Sequence, residues 1–208
     1  MERDYGALPI QELGANAGFR RPTQPQAGGR VTPASPALQV MTDLTRVTPA
    51  TIRPQAPLAG ANQFMITRGV RLLLVVDDLE NVLGVISAAD LLGERPMLVA
   101  TQRRLRRDEL VVADVMTGAE HVEVIALADV EGARVGHVLA TLRRAGRQHA
   151  LVVNHDLLSP ARPLEAPAKR AMVRGIFSIS QIARQLGVSL PAGGEVARTF
   201  SEIEAAIR

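Results

Sequence analysis

The same short pattern occurs twice in the sequence, and this internal repeat constrains the fold more than any other feature. In each copy a glycine precedes an apolar run that ends in Asp or Asn, and a Gly-apolar-apolar-Ser segment follows. A Val-Met-Thr triplet lies upstream of each copy. The three matches are Val40–Thr42 with Val115–Thr117, Gly69–Asp77 with Gly146–Asn154, and Gly84–Asp90 with Gly175–Gln181. Because the order is the same, we interpret the chain as a tandem duplication of one folding unit.

The first copy predicts a β-hairpin followed by a helix. Leu72–Val76 is typical of a buried strand, Asp77–Asn81 predicts a turn, and Val82–Ile86 predicts a second strand. Ser87 and Asp90 then have the spacing of a helix cap, in which a hydroxyl and an acid bind free backbone N–H groups. Since a helix N-terminus also attracts anions, the end of this hairpin is a candidate binding edge.

A helix is expected before each hairpin, because apolar residues recur there at helical spacing. Each of these helices should end at a glycine, which favours the C-terminal cap conformation. A short helix at Leu38–Met41 and an irregular strand at Val47–Ile52 lead into the first copy. The residues at helical spacing are Leu58, Ala61 and Met65 before Gly69, and Val135, Val138, Leu139 and Leu142 before Gly146.

This order of elements, with Gly-apolar-apolar-Ser-x-x-Asp after a VVD or VVN strand, resembles tandem CBS domains, the nucleotide-sensing modules named after cystathionine β-synthase. The resemblance covers roughly residues 37–187. It implies an α/β (α+β) fold of two βαββα repeats related by pseudo-twofold symmetry. It also implies a cleft between the repeats that binds an adenosine compound such as AMP, ADP, ATP or S-adenosylmethionine.

The resemblance assigns ribose binding to Asp90, because a carboxylate accepts strong hydrogen bonds from two adjacent hydroxyls. Ser87 would contact the ribose or a phosphate, Val85 and Ala89 would lie beside it, and Arg71 would contact a phosphate. The site is expected to be composite. The opposite repeat would hold the adenine through Arg147, Gln148 and His149.

A second, weaker site is expected at the equivalent position of the other copy. Ser178 and Ser180 are kept there, but Gln181 replaces the acid, so the charge-assisted bond to ribose is lost. The resemblance implies that the adenine wall of this second site consists of Thr45, Ala50 and Val70. We therefore predict one good site per chain, with at most one weak site beside it.

The signature residues also have an interpretation without a ligand. Ser-x-x-Asp and Ser-x-x-Gln are both capping boxes, and on this interpretation they serve only to begin a helix. In that case the chain would be a ligand-free scaffold or dimerisation protein.

The basic cluster Arg103–Arg107 raises a third hypothesis, nucleic-acid binding. The acids that follow this cluster, and the absence of interleaved aromatic residues, favour a solvated linker instead.

No pattern in the sequence supports catalysis or a metal. Ser, His and Asp occur without a G-x-S-x-G nucleophile motif, and the four histidines lack metal-ligand spacing. We expect a regulatory module that is not an enzyme and has no cofactor beyond a regulatory adenine nucleotide. Because no effector domain is visible, its output would pass through a separate partner protein, through the tails, or through association of modules. The resemblance implies a homodimer.

Composition and apolar patterning predict the compartment of the protein and the segments into which the chain divides. The 208 residues contain no Cys, which fits a reducing compartment, and no apolar stretch approaches the roughly 20 residues of a membrane helix. We therefore expect a cytoplasmic protein that does not contact a membrane. The expected segments are a disordered Gly- and Pro-rich tail at 1–36, the first repeat at 37–100, a linker helix at 101–112, the second repeat at 113–190 with a hairpin enlarged over 154–174, and an amphipathic helix at 191–208.

Overall fold

A computed structural model describes residues 6–13, 18–19, 31–157, 169–188, 200–203 and 205. They form a mixed α/β fold with two sheets flanked by helices, which is the predicted class. The described strands are β1 (Gln11–Glu12), β2 (Gly18–Phe19), β3 (Thr42–Asp43), β4 (Thr51–Ile52), β5 (Leu72–Val76), β6 (Val82–Ser87), β7 (Thr117–Gly118), β8 (Glu123–Ala126), β9 (His149–Leu157) and β10 (Lys169–Ser178). The described α-helices are α1 (Leu58–Arg68), α2 (Ala88–Leu92), α3 (Arg95–Arg103), α4 (Val112–Val115), α5 (Leu127–Glu131), α6 (Val135–Ala145) and α7 (Ile179–Gln185).

Both copies of the repeat have the predicted order of strands and helices. In the first, β4 lies parallel to β5, α1 connects them, and β6 returns antiparallel before α2. In the second, β8 lies parallel to β9 and β10 returns antiparallel before α7. The helices α1 and α6 both end at a glycine in the left-handed conformation, Gly69 with φ 64° and Gly146 with φ 62°. The predicted glycine caps are confirmed.

Each repeat is completed by the segment that leads into the other repeat. We call residues 31–43 and 110–118 the leading segments. Strand β3 of the first leading segment pairs with β10, and β7 of the second pairs with β6. Isolated β-bridges connect the same parts of the chain: Pro36 of the first leading segment pairs with Arg134 of the second repeat, and Val111 of the second leading segment pairs with Pro57 of the first repeat. The two repeats are therefore related by pseudo-twofold symmetry. Each leading segment precedes one repeat in the sequence but belongs to the sheet of the other repeat in the structure.

The strand exchange explains the glycine of the repeated signature. A Cβ on Gly84 would collide with the backbone carbonyl oxygen of Thr117 in β7. A Cβ on Gly175 would collide with the side chain of Met41 in the first leading segment. Glycine leaves room at both positions for a leading segment that packs directly against the strand, and the clash would be with backbone at Gly84 but only with a flexible side chain at Gly175. This part of the signature serves the fold.

Three apolar clusters make up the described core. The first repeat packs its helices on one face of its sheet, the second repeat does the same, and a third cluster lies between the sheets. Strand β5 illustrates the arrangement, because Leu72, Leu74 and Val76 point into the cluster between the sheets while Leu73 and Val75 point into the first repeat. A strand buried on both faces is apolar throughout, which is why this run was evident in the sequence.

Within the tail predicted at 1–36, the residues that the structure describes include two short strands. Strand β1 pairs with β8, and β2 pairs with β10. Leu13 and Val31 are buried, with exposed fractions of 2% and 5%. Among the described residues of this stretch, Leu8 and Val31 pack with the core of the second repeat, and Leu13 packs between the sheets.

Two further boundaries differ from the predicted ones. The helix between the repeats spans Arg95–Arg103 instead of 101–112, and Pro96 lies in its first turn, where a missing N–H costs nothing. A short 3-10 helix, Arg107–Glu109, follows it. The enlarged hairpin lengthens β9 and β10, whose pairing continues to Leu157 and Lys169.

At the C-terminus, residues 200–203 and 205 are helical, and Phe200 and Ile203 are buried in the core of the second repeat. The remainder of the predicted helix at 191–208 lies outside the described residues. None of the helices that the structure describes is both long and apolar enough to span a membrane.

Candidate functional site

A cleft of about 160 Å³ lies between the two repeats. The first repeat contributes the end of β6 and the start of α2, and the second contributes β8, the start of β9 and the end of α6. Seven of the eight residues predicted for the main site line this cleft: Val85, Ser87, Ala89, Asp90, Arg147, Gln148 and His149. The structure thus brings together residues that the sequence separates by about 60 positions. Their role in binding remains a prediction.

Ser87 and Asp90 form a complete capping box at the start of α2. One carboxylate oxygen, Oδ2 of Asp90, accepts hydrogen bonds from the backbone N–H of Ser87 at 2.8 Å and from its hydroxyl at 2.6 Å. The backbone N–H of Asp90 donates to Ser87 Oγ at 3.2 Å. The cap therefore uses one oxygen of Asp90 and fixes the direction in which the carboxylate points.

The other oxygen of Asp90 faces a cation that the sequence did not indicate. Arg95 Nη1 lies 3.5 Å from Asp90 Oδ1, and the Arg95 side chain is 44% exposed. The same guanidinium donates to the carbonyl oxygen of Met116 at 2.8 Å and to the hydroxyl of Thr117 at 3.2 Å. Arg95 thus connects the cleft to the exchanged strand β7. An ion pair of this length and exposure contributes little to stability, so a ligand can displace it.

The opposite wall carries a neutral imidazole. His149 is the first residue of β9, and its pairing partner in β10 is Ser178. Burial, and secondarily the positive charge of Arg71, lowers the pKa of His149 to about 4, although the Asp90 carboxylate acts in the opposite direction. Neutral histidine has one hydrogen-bond donor and one acceptor. This wall can therefore match a ligand that presents both.

Arg71 is the one predicted residue of the main site that is absent from the cleft lining. Its backbone carbonyl accepts a hydrogen bond from the N–H of Ala88 at 2.9 Å, which joins the start of β5 to the start of α2. Its side chain is exposed and acts on the cleft through its charge, as the pKa of His149 shows.

Several cleft residues were not predicted. Thr117 belongs to the repeated Val-Met-Thr triplet, which was noticed only as a marker of the duplication. Glu123 and His121 come from the segment that enters β8, and Ile10 comes from the stretch expected to be disordered. The triplet offered a signal for Thr117, whereas nothing in the sequence pairs Ile10 with the cleft.

In the second repeat, the predicted weaker site is held by internal hydrogen bonds. The hydroxyl of Thr42 donates to Gln181 Oε1 at 2.8 Å, and the hydroxyls of Ser178 and Ser180 lie 3.0 Å apart. Ser178 makes no side-chain cap at the start of α7, in contrast to Ser87. The amide that replaces the acid is therefore already engaged with the exchanged strand β3.

The residues expected as the adenine wall of that weaker site lie at the first repeat. Thr45 donates its backbone N–H and its hydroxyl to Asp43 Oδ1, at 2.8 and 2.6 Å, and Asp43 also forms an ion pair with Arg174. Ala50 and Val70 pack against the core of the first repeat. Whether they contact a ligand remains a prediction.

Most of the basic cluster after α3 is paired within the chain. Arg103 forms an ion pair with Asp114, and Arg106 forms one with Asp108 at 3.0 Å. Arg107 donates to the carbonyl oxygen of Leu91 at 3.1 Å. These contacts use the charges that a nucleic-acid surface would present to phosphates, so they favour the interpretation as a solvated linker.

The CBS domain model matches residues 39–96. No curated protein matches the chain. Among solved structures, an uncharacterized conserved protein from Pyrococcus horikoshii is 20% identical, with 78% of this chain and 100% of that chain covered and a TM-score of 0.51. At this identity the likeness concerns the fold alone.

Two further structures are similar at lower TM-scores. The CBS domain pair of protein MJ0100, solved in complex with 5′-methylthioadenosine and S-adenosyl-L-methionine, is 17% identical over 74% of this chain and 98% of that chain, with a TM-score of 0.47. CBSX2, solved in complex with AMP, is 18% identical over 72% of this chain and 94% of that chain, also with a TM-score of 0.47.

The matched residues include the first hairpin, the capping box and α2. They end at Pro96, in the first turn of α3. The second repeat lies outside the match, but the structure gives it the same topology and joins it to the first by exchanged strands. Residues 39–96 of this chain therefore match the domain family that the sequence resemblance named.

Proposed function

We propose that this chain is a regulatory module, without enzymatic activity of its own, that binds an adenosine compound in the cleft between its two repeats. The observation that supports this most directly is the shared cleft. A carboxylate at a helix N-terminus, Asp90, lies in one cavity with the neutral His149 of the other repeat. The ligand would be AMP, ADP, ATP or S-adenosylmethionine.

The geometry suggests how each wall would act. Asp90 Oδ2 is used by the cap, so Oδ1 would accept the ribose hydroxyls after Arg95 moves away from it. Adenine presents an N–H₂ donor beside a ring-nitrogen acceptor. The donor and acceptor of neutral His149, together with the amide of Gln148, would match that edge. Arg147 would remain for a charged substituent.

Binding in this cleft would regulate only if the ligand favours one arrangement of the repeats over another. The cleft suits this role because its two walls belong to different repeats. The arrangement so selected would be passed to a separate partner protein or to a second copy of the chain in a homodimer.

The first experiment is a thermal-melt screen of the full chain against AMP, ADP, ATP and S-adenosylmethionine. A ligand at about 100 times its dissociation constant stabilises a fold by roughly 2.7 kcal/mol, which for this size raises Tm by about 5–10 °C. We expect at least one compound to produce such a shift, and we expect Asp90→Ala to abolish it.

Asp114→Ala is the matched control for that variant. Asp114 occupies the same position in α4 as Asp90 does in α2: its carboxylate accepts the N–H of Val111 at 2.9 Å and forms an ion pair with Arg103. It does not line the cleft. Both variants should lower Tm through the lost cap, which costs about 0.5–2 kcal/mol. Only Asp90→Ala should lose the response to ligand.

A second candidate function follows from the completeness of the capping box. Because Ser87 and Asp90 satisfy each other without a ligand, they could serve the helix alone, in a scaffold or dimerisation protein. A cooperative melt that none of the four compounds shifts would contradict nucleotide sensing and favour the scaffold.

A further inference from the structure

A segment outside both repeats closes one side of the cleft. We call residues 6–13 the strap. Its first anchor is Leu8, whose backbone N–H donates to Thr141 Oγ1 at 2.8 Å and whose carbonyl accepts from Arg144 Nη2 at 2.9 Å. The Leu8 side chain packs against the core of the second repeat. The backbone N–H and the backbone carbonyl of Leu8 are thus both hydrogen-bonded to side chains of α6.

The second anchor of the strap is its strand. Gln11 and Glu12 pair with Val124 and Glu123 on the outer edge of β8. The backbone N–H of Leu13 then donates to the carbonyl oxygen of Val122 at 2.8 Å, and its side chain is buried in the cluster between the sheets. The strap therefore connects the core of the second repeat to the core between the repeats.

Ile10 lies between the two anchors and is one of the residues that line the cleft. The second repeat contributes Thr141 and Ala145 beside it, and Asp90 belongs to the first repeat. Ile10 is half-buried, whereas the neighbouring Gln11 is exposed. The strap is thus a third wall of the cleft, and it supplies an apolar surface to it.

The strap also breaks the symmetry of the module. The outer edge of β8 is covered by β1, whereas in the described part of the chain no strand pairs with the outer edge of β4, its counterpart in the first repeat. The covered edge belongs to the repeat that supplies His149 to the main site. Among the residues that the structure describes, only one of the two pseudo-equivalent positions therefore has this wall.

We infer that the strap is linked to occupancy of the cleft and that Ile10 is a specificity-determining residue of the ligand site. This inference rests on the proposed function. An adenosine compound in the cleft would contact Ile10, so the ligand would hold the strap in place. By thermodynamic reciprocity, the docked strap would raise the affinity for the ligand by the same factor.

The wall itself can be tested without any ligand. The chain contains no cysteine, so Ile10→Cys and Gln11→Cys each introduce a single thiol. We expect a thiol reagent to label Ile10→Cys several-fold more slowly than Gln11→Cys in the free protein, because only the first position faces the cleft. Equal rates would overturn the strap as a wall of the cleft.

The link to the ligand is tested with AMP, ADP, ATP and S-adenosylmethionine as probes. Each compound that binds should slow the labelling of Ile10→Cys further and leave Gln11→Cys unchanged. Titration calorimetry should show that Ile10→Ala raises the Kd about three- to tenfold, as expected when apolar contact worth about 1 kcal/mol is lost. Gln11→Ala is the matched control and should keep the Kd of the unmodified chain.

The two proposals fail in different ways. If the unmodified chain binds one of the probes and Ile10→Ala binds it equally well, the role of Ile10 is overturned while nucleotide binding stands. If the unmodified chain binds none of the four compounds, the proposed function fails, and the link to the ligand fails with it. Slow labelling of Ile10→Cys would even then support the strap as a wall.

Discussion

His149 combines a position in the cleft with a strongly lowered pKa, and both follow from its place at the start of β9. Burial at this position disfavours the charged imidazole, and Arg71 adds a like charge. The resemblance to CBS domains was sufficient to pair His149 with Asp90. It could not indicate Arg95 or Ile10, because neither belongs to the repeated signature and only the packing brings them to the cleft.

The lowered pKa of His149 predicts a pH dependence of stability. Between the ordinary value of 6.5 and the folded value of about 4, the unfolded chain binds a proton at His149 that the folded chain does not. The free energy of unfolding should therefore fall as the pH is lowered through this range, by about 2 kcal/mol from this residue. Urea unfolding at pH 7, 5.5 and 4.5 measures the slope. His149→Gln should have a shallower one, and identical slopes would contradict the assignment.

At the scale of the elements, the long strands within each repeat could be predicted from the sequence, whereas the short exchanged strands could not. Strands β5 and β6 were evident because they are long and apolar. Strands β3 and β7 have two residues each, and their partners lie in the other repeat. Periodicity over so short a run carries no signal, so the exchange and the resulting boundaries were missed. The helix α3 was misplaced because its amphipathic pattern is short and includes Pro96.

The exchange also predicts unequal costs for the two signature glycines. Gly84→Ala forces a methyl group against the backbone of Thr117, which cannot move without breaking the β6–β7 pair, so we expect a loss of about 1–3 kcal/mol of unfolding free energy. Gly175→Ala meets only the flexible side chain of Met41 and should cost clearly less. Urea denaturation at pH 7 compares the two. A smaller loss for Gly84→Ala would contradict this account of the signature.

At the scale of the whole molecule, the two repeats should unfold as one unit. Their leading segments are exchanged, and a common apolar cluster that includes Leu74 and Leu151 lies between the sheets. Neither repeat can lose its structure without exposing part of the other. We expect a single calorimetric transition whose enthalpy equals the van't Hoff enthalpy. Two separated transitions would show that the repeats are independent.

The reciprocal pairing of β3 and β10 also sets the order in which the chain can fold as it is made. Asp43 leaves the ribosome early, but its ion-pair partner, Arg174, lies 131 residues later. At roughly 5–20 residues per second, that interval is on the order of ten seconds. During this time the first leading segment has no strand to pair with, and the apolar face of β5 has no opposite sheet. The first leading segment therefore completes its packing only after β10 has been synthesised.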